Sequence, residues 1–505
     1  MFLIISLILC ATVALFVRTF LKRKFNYWKE RNVPHQKPTS LLGDHQDYIL
    51  LRKYVGQSAQ DVCRKFPNEP YIGTYYGWEP ALLVQDPDII KTILTKDFYY
   101  FNSREVADYT DNEVTTRTLF FTHGNRWKAL RHNMTPIFSS AKLKNMFYLI
   151  QKRSVTLEKV LDKETAMSPV LEMRTLCARY TMDCIGSCAF GVETDTLNNK
   201  TDNNLFTRIG NAIFDLSPVR AFKIIARVVW PKIFYGLGFK TFSTEIDAFF
   251  TKLLVDVFES RHYTPSSRND FVDLILSLKK DSYITGDSVT NMKTGGDEKI
   301  KLKVDTEFLV GQCVGLFAAG YDTSAATMSF TLYELAKNKD AQKRVIAEID
   351  EYLRKHDNKI EFDCLSELMY LDACIHETMR LYPVVGLLTR EVTENYTLPT
   401  GLRLEKDMRL HIPTYHLHRN PEYFPEPEAY KPERFLGDEK RNIKPYTYLP
   451  FGEGPRMCLG KLQINIVHFF SIFLIFSITP VSKLAFQCNE VMQQPVCVEP
   501  CLTQI

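Results

Sequence analysis

Pro450-Phe451-Gly452-Glu453-Gly454-Pro455-Arg456-Met457-Cys458-Leu459-Gly460 is the stretch from which the rest of the chain can be read. Its glycines admit positive φ and its prolines stop regular structure, so it forms a turn-rich loop. The loop delivers Cys458 to the start of an apolar helix expected over Lys461 to Phe476. A sulfur placed there meets free backbone N–H groups and the positive end of a helix, both of which favour the thiolate, the form that binds iron. The pattern Phe-x-x-Gly-x-Arg-x-Cys-x-Gly, filled here by Phe451, Gly454, Arg456, Cys458 and Gly460, should arise by chance roughly once in ten thousand chains of this composition.

Three features lie upstream. Ala319-Gly320-Tyr321-Asp322-Thr323-Ser324 interrupts an apolar helical pattern with a glycine and an acid–alcohol pair. Glycine costs about 1 kcal/mol inside a helix, and a threonine can bond back to a carbonyl and bend it. Glu377 and Arg380 stand at i and i+3 on one helical face, with Pro432-Glu433-Arg434-Phe435 following later. Trp127-Lys128-Ala129-Leu130-Arg131 sets Trp and Arg four apart, a pairing suited to holding a carboxylate.

Together, in this order, these segments resemble the motifs of the cytochrome P450 family, the heme-thiolate monooxygenases. The resemblance implies a mainly α fold with a small β subdomain, heme b as cofactor and Cys458 as its axial iron ligand. It implies that Phe451 packs beside the sulfur, that Gly452 and Gly460 shape the loop, and that Arg456, Trp127, Arg131, Arg390 and Arg104 face the propionates. Ala319 and Gly320 would border the cofactor, Thr323 would hydrogen-bond the bound dioxygen or its water, and Asp322 would relay protons. Glu377, Arg380 and Arg434 would form a buried charge network. Lys461-Leu462-Gln463 departs from the usual Arg-Phe-Ala at positions that tune helix packing and not ligation.

The 505 residues are 45% apolar, 24% charged and 12% aromatic, which excludes a disordered, collagen-like or linker-rich protein. With 63 basic against 59 acidic residues, the net charge of +4 gives no footprint for nucleic acid. Helices are predicted over Met134 to Leu161, Met173 to Phe190, Thr244 to Ser260, Thr306 to Asn338, Ala341 to Lys355 and Cys364 to Leu381. Strands are predicted at Tyr71–Tyr76, Ala81–Val84 and Leu387–Val392, and a surface loop with one short helix, Asp270 to Lys280, over Arg261 to Lys303.

Met1 to Val17 carries no charge and at about 1.5 Å per residue spans roughly 25 Å, close to a bilayer's thickness. The cluster Lys22-Arg23-Lys24 follows it, with no basic segment before and no cleavage site, so residues 1–21 read as a retained transmembrane anchor. Residues 22–40, with Pro34 and Pro38, read as a hinge, and residues 41–505 as a single catalytic domain on the cytosolic face of the endoplasmic reticulum. Twelve dilute cysteines fit a reducing compartment, and Cys497-Val498-Glu499-Pro500-Cys501 lacks the second pair a zinc site needs.

The wording Tyr27 to His35 resembles insect microsomal members that oxidise plant toxins, insecticides or endogenous lipids. The implied partners are NADPH–cytochrome P450 reductase, cytochrome b5, membrane lipid and a lipophilic substrate, with Lys128, Lys142, Lys144, Lys440 and Lys444 as docking residues. Substrate lining is expected from Val106 to Phe121, Leu205 to Phe239, Phe317 to Ala319 and Val384 to Leu388. Two rival functions share the Cys458 site: an oxygen-independent isomerase or dehydratase, and a non-catalytic heme carrier or sensor.

Overall fold

The computed structural model describes residues 2–475 apart from 39, 169–170, 200–203, 215–216, 267, 269, 463–465, 469–471 and 474. In chain order, the elements that frame the site are α1 (Phe2–Phe25), β1 (Tyr71–Tyr76), β2 (Glu79–Val84), α2 (Gly124–Met134), α3 (Ser140–Met167), α4 (Met173–Ile185), α5 (Pro218–Val229), α6 (Thr244–Ser260), α7 (Phe271–Asp281), β3 (Tyr283–Asp287), β4 (Lys299–Lys303), α8 (Thr306–Lys337), α9 (Lys339–Lys355), α10 (Met369–Leu381), β5 (Leu388–Glu391) and β6 (Arg409–Ile412). The architecture is mainly helical with small sheets, as the sequence predicts.

The long helix α8 organises the body. Asp305 caps it by accepting from the Phe308 N–H at 2.8 Å, and apolar residues occupy nearly its whole circumference, which suits a helix surrounded by others. One side of it joins α3, α4, α9 and α10 in a core around Tyr180, Met328, Leu332 and Ile375. Its other side meets α6 and α7 through Phe250, Phe271 and Phe317.

The four-stranded sheet runs β1-β2-β6-β5. β1 and β2 are antiparallel, with Tyr71 opposite Val84. β2 and β6 are parallel, with Ala81 opposite Arg409, and β5 returns antiparallel to β6, with Leu388 opposite Ile412. A parallel pair needs a long connection, and here the entire helical body lies between β2 and β6, so the sheet brings the two ends of the fold together.

Several expectations change. Within the segment expected as a hinge, Trp28 and Pro34 are packed against the body: Trp28 is fully buried, its Nε1 donates to Thr74 O at 3.0 Å, and the Gly73 N–H donates to Pro34 O at 2.7 Å. An indole offers too much apolar surface to leave in water, and the edge of β1 supplies the polar partners. The predicted loop over Arg261 to Lys303 contains its predicted short helix, α7, but Phe271, Val272 and Ile275 of that helix are core residues, and the hairpin β3–β4, with Tyr283 opposite Lys303, is added to it. The helix predicted from Met134 begins at Ser140, after a 3₁₀ turn at Thr135–Phe138, because Pro136 cannot donate to a helical ladder. The helix predicted over Met173 to Phe190 ends as a π turn at Gly186–Phe190. That predicted over Cys364 to Leu381 is broken at Leu368. The helix expected over Lys461 to Phe476 falls partly, and Cys497 and Cys501 wholly, outside the described residues.

α1 covers the segment expected to cross the membrane. Among the described residues no helix is long and apolar enough to cross one.

Candidate active site

The segment Pro450 to Gly460 forms the tight loop its glycines require. Gly454 has φ 72°, and a Cβ there would lie 1.9 Å from Leu94 O, so only glycine fits. A 3₁₀ turn over Gly454–Arg456 follows, and the Cys458 N–H closes the loop on Phe451 O at 2.9 Å. Burial pushes the Cys458 thiol above its ordinary value, while the Gly460 N–H and the charges of Arg131, Arg104 and Lys461 pull it back.

Cys458 lines a cavity of about 310 Å³. Phe451, Gly452, Arg456 and Gly460 share its wall with Cys458, and Ala319, Gly320 and Thr323 of α8 also line it. Gly320 leaves room for the Ile185 side chain of α4: a Cβ there would lie 2.1 Å from Ile185 Cδ1 and would make that side chain shift. The Thr323 hydroxyl donates back to Ala319 O at 2.5 Å, and α8 stays helical throughout. The helix therefore continues through Thr323, with the hydroxyl satisfied on its own backbone.

Asp322 does not line the cavity. It is buried against α4, where Arg174 Nη2 lies 2.6 Å from its Oδ1. Burial pushes its carboxyl pKa up and Arg174 draws it back.

Trp127, Arg104, Arg131, Arg390 and Arg456 gather at the cavity. Arg131 Nη1 donates to Met457 O at 2.6 Å, Arg104 Nη1 to Phe120 O at 3.0 Å, and Arg390 Nη1 to Thr389 O at 2.7 Å. Arg456 donates through Nε to Asn102 O at 2.7 Å and through Nη2 to Thr122 O. Its guanidinium also lies 4.8 Å over the Trp127 ring. Among the described residues no carboxylate pairs with any of these four arginines. Burial lowers all four pKa values, Arg390 to about 10, and for Arg104 and Arg456 repulsion from the neighbouring guanidiniums adds to it.

Buried cations without counter-charges are costly, and Arg390 Nε has no partner at all. The cluster therefore fits a ligand that brings its own carboxylates. The thiol, raised by burial, likewise fits a metal cation that would hold it deprotonated. Both features suit an iron porphyrin with two propionates.

Behind the loop, Arg380 grips Glu377 through two bonds, Nε to Oε2 at 2.7 Å and Nη2 to Oε1 at 2.8 Å. Both side chains are fully buried. Arg380 also donates to His418 O and Pro427 O at 2.8 and 2.7 Å. Arg434 Nε stands 3.5 Å from Glu377 Oε1.

Of the expected substrate-lining segments, Thr118 to Phe120 and Val384, Val385, Leu387 and Leu388 do line the cavity. Phe317 packs instead against Phe250, at 5.3 Å between ring centroids, and among the described residues none from Leu205 to Phe239 reaches the lining. Arg174 was not legible as the partner of Asp322, since 148 positions separate them.

A deep cavity between a cysteine loop and a long central helix, rimmed by unpaired arginines, defines a heme-thiolate protein. The chain belongs to the cytochrome P450 family, whose model matches residues 34–473, and it is a cytochrome P450 monooxygenase. It is 36% identical over 480 residues to cytochrome P450 6B5 of Papilio glaucus, covering 92% of this chain and 96% of that protein. It is 35% identical over 442 residues to cytochrome P450 6B7 of Helicoverpa armigera (87% of this chain, 85% of that protein). It is also 35% identical over 459 residues to cytochrome P450 6k1 of Blattella germanica (90% and 87%).

Proposed function

We propose that the chain is a membrane-anchored monooxygenase that inserts one oxygen atom from dioxygen into a lipophilic xenobiotic or endogenous lipid. Electrons come from NADPH–cytochrome P450 reductase, with cytochrome b5 as a second donor, at the cytosolic face of the endoplasmic reticulum. Heme b, when bound, supplies the iron at which dioxygen is activated.

The observation that carries this reading is the shared cavity: Cys458, Thr323 and four arginines without carboxylate partners all line it. In it Cys458 would hold the iron through its thiolate, with Phe451 packed beside the sulfur and Gly452 shaping the loop, and Arg104, Trp127, Arg131, Arg390 and Arg456 would hold the propionates. The Thr323 hydroxyl, whose proton is given to Ala319 O, keeps its lone pairs free to accept. Asp322 and the partly exposed Arg174 supply a charged pair one residue from that hydroxyl, where protons can pass from solvent.

Residues 1–21 act as the anchor. Ile4, Ile5, Ile8, Leu9, Leu15 and Phe16 are exposed on α1, a state that only an apolar surrounding makes favourable. Val219, Phe222, Ile233, Leu237 and Phe239 are exposed as well. The aromatic contacts Phe20–Trp78 and Trp78–Trp230, at 6.1 and 5.0 Å, link α1 to that second patch. The catalytic body begins at Tyr27, since Trp28 belongs to its core.

The test is the spectrum of the reduced, carbon-monoxide-bound protein together with the dependence of turnover on NADPH and reductase. A Soret band typical of histidine ligation would sink the Cys458 assignment, and turnover without NADPH would favour an isomerase.

A further inference from the structure

Beside the main cavity lies a smaller one of about 30 Å³. The two have Arg104, Phe120, Leu387 and Thr389 in common as lining, so a thin wall of side chains separates them. Tyr76, Arg227 and His411 also line the smaller one, each of them at least nine-tenths buried. Tyr76 Oη, Arg227 Nη2 and His411 Nδ1 all lack a hydrogen-bond partner. Three unmet polar atoms around one void are expensive to bury, and such atoms normally find water or a ligand.

Their chemistry is that of an anion site. His411 turns its other nitrogen to Glu105, 2.5 Å from Oε1. Burial raises the Glu105 carboxyl pKa, but His411 and Arg409 outweigh it and hold it below the usual carboxylate range. Glu105 is therefore already matched. Arg227 has no carboxylate in direct contact: its guanidinium lies 4.7 Å over the Phe121 ring, Nε donates to Tyr235 Oη at 2.6 Å, and Glu113 is reached only through Tyr235. Glu113 Oε2 is meanwhile occupied by the Thr241 and Phe242 N–H groups at 2.8 and 3.0 Å. A buried guanidinium thus faces a void with room for about two water-sized oxygens. Two oxygens in one plane are what a carboxylate brings, and what a guanidinium binds best.

We propose that this side chamber receives the carboxylate of a lipophilic acid, with Arg227 as its counter-charge and the hydrocarbon body passing Phe120 and Leu387 into the main cavity. The proposal rests on the main cavity being the substrate chamber.

The holoenzyme tests it, titrated with dodecanoate and with methyl dodecanoate while the substrate-induced shift of the heme absorption is followed. Dodecanoate should bind about ten-fold more tightly than the ester, as a buried charged hydrogen bond implies. Arg227→Met should remove that preference by weakening the acid and leaving the ester nearly unchanged, and Arg227→Lys should keep part of it. Tyr235→Phe, which deletes the neighbour but not the charge, should retain the preference. Equal affinities for acid and ester in the parent protein would overturn the proposal and leave the chamber to water. So would equal weakening of both by Arg227→Met, or no shift with the acid from protein whose carbon-monoxide band is normal. Loss of that band in the parent protein would instead sink the heme-thiolate reading itself.

Discussion

Arg174 on α4 and Asp322 on α8 meet at 2.6 Å across 148 positions of sequence, joining a buried carboxylate on the cavity helix to a side chain that reaches solvent. Arg174→Met leaves Asp322 buried without its cation, so its carboxyl pKa, already raised by burial, rises further. Turnover should fall about ten-fold with a larger solvent isotope effect, while the carbon-monoxide spectrum and substrate-induced shift stay unchanged. Arg174→Lys should recover most of the rate. Equal rates and isotope effects in parent and Arg174→Met would remove the pair from proton delivery.

The Glu377–Arg380 pair is fully buried, and removing one partner of such a pair typically costs about 3–5 kcal/mol. Arg380→Leu also strips the donors from the carbonyls of His418 and Pro427. Thermal melting should drop sharply and the yield of heme-loaded protein should collapse, as measured by the heme-to-protein absorbance ratio. An unchanged melting temperature would show that the pair does not hold the body together.

Gly452 and Gly454 share positive φ but not surroundings. A Cβ at Gly452 meets nothing closer than 4.0 Å, whereas one at Gly454 would collide with the Leu94 carbonyl at 1.9 Å. Gly452→Ala should cost about 1 kcal/mol, the conformational penalty alone, and keep the heme. Gly454→Ala should displace the loop and abolish the normal carbon-monoxide band. The reverse ranking would mean that the loop's contact with Leu94 does not fix the cysteine.

Asp44 accepts the Tyr75 N–H at 2.9 Å, and burial raises its pKa to about 7. The folded protein therefore binds this proton more tightly than the unfolded chain, whose aspartates titrate near 3.9. The resulting stability is complete below about pH 4 and is lost as pH rises toward 7. Asp44→Asn, which mimics the protonated form, should raise the melting temperature at pH 8 and change it little at pH 4. Parallel melting curves of parent and variant across that range would refute the linkage.

The sequence was most legible where a periodic pattern met a simple surrounding. Thr244 to Ser260 is helical end to end as predicted, since its apolar stripe faces one core. The predicted strand Tyr71–Tyr76 is β1, because β-branched and aromatic residues there are bounded by turn residues. β3 and β4 escaped notice because their exposed lysines and flanking glycines look like a solvated loop, although the alternation Lys299-Ile300-Lys301-Leu302-Lys303 carries the signal. The motifs pointed to Cys458, Thr323 and the arginines, which the fold gathers at one cavity. They could not say that Asp322 turns away toward Arg174, or that Arg227 would have no carboxylate in direct contact, because both facts depend on which distant elements lie opposite.

The burial of Trp28 bears on how the protein would stand at a membrane. One residue, Asn26, separates the end of α1 from the turn that carries Trp28. The last turn of α1 is itself fastened to the sheet by Lys24–Glu79 at 3.0 Å and by Tyr75 Oη donating to Phe25 O at 3.0 Å. A joint that short and that well pinned transmits torque. With α1 inserted as proposed, the first helix works as a keel and not as a mooring line, so the tilt of that helix in the lipid sets the bearing of the cavity's mouth.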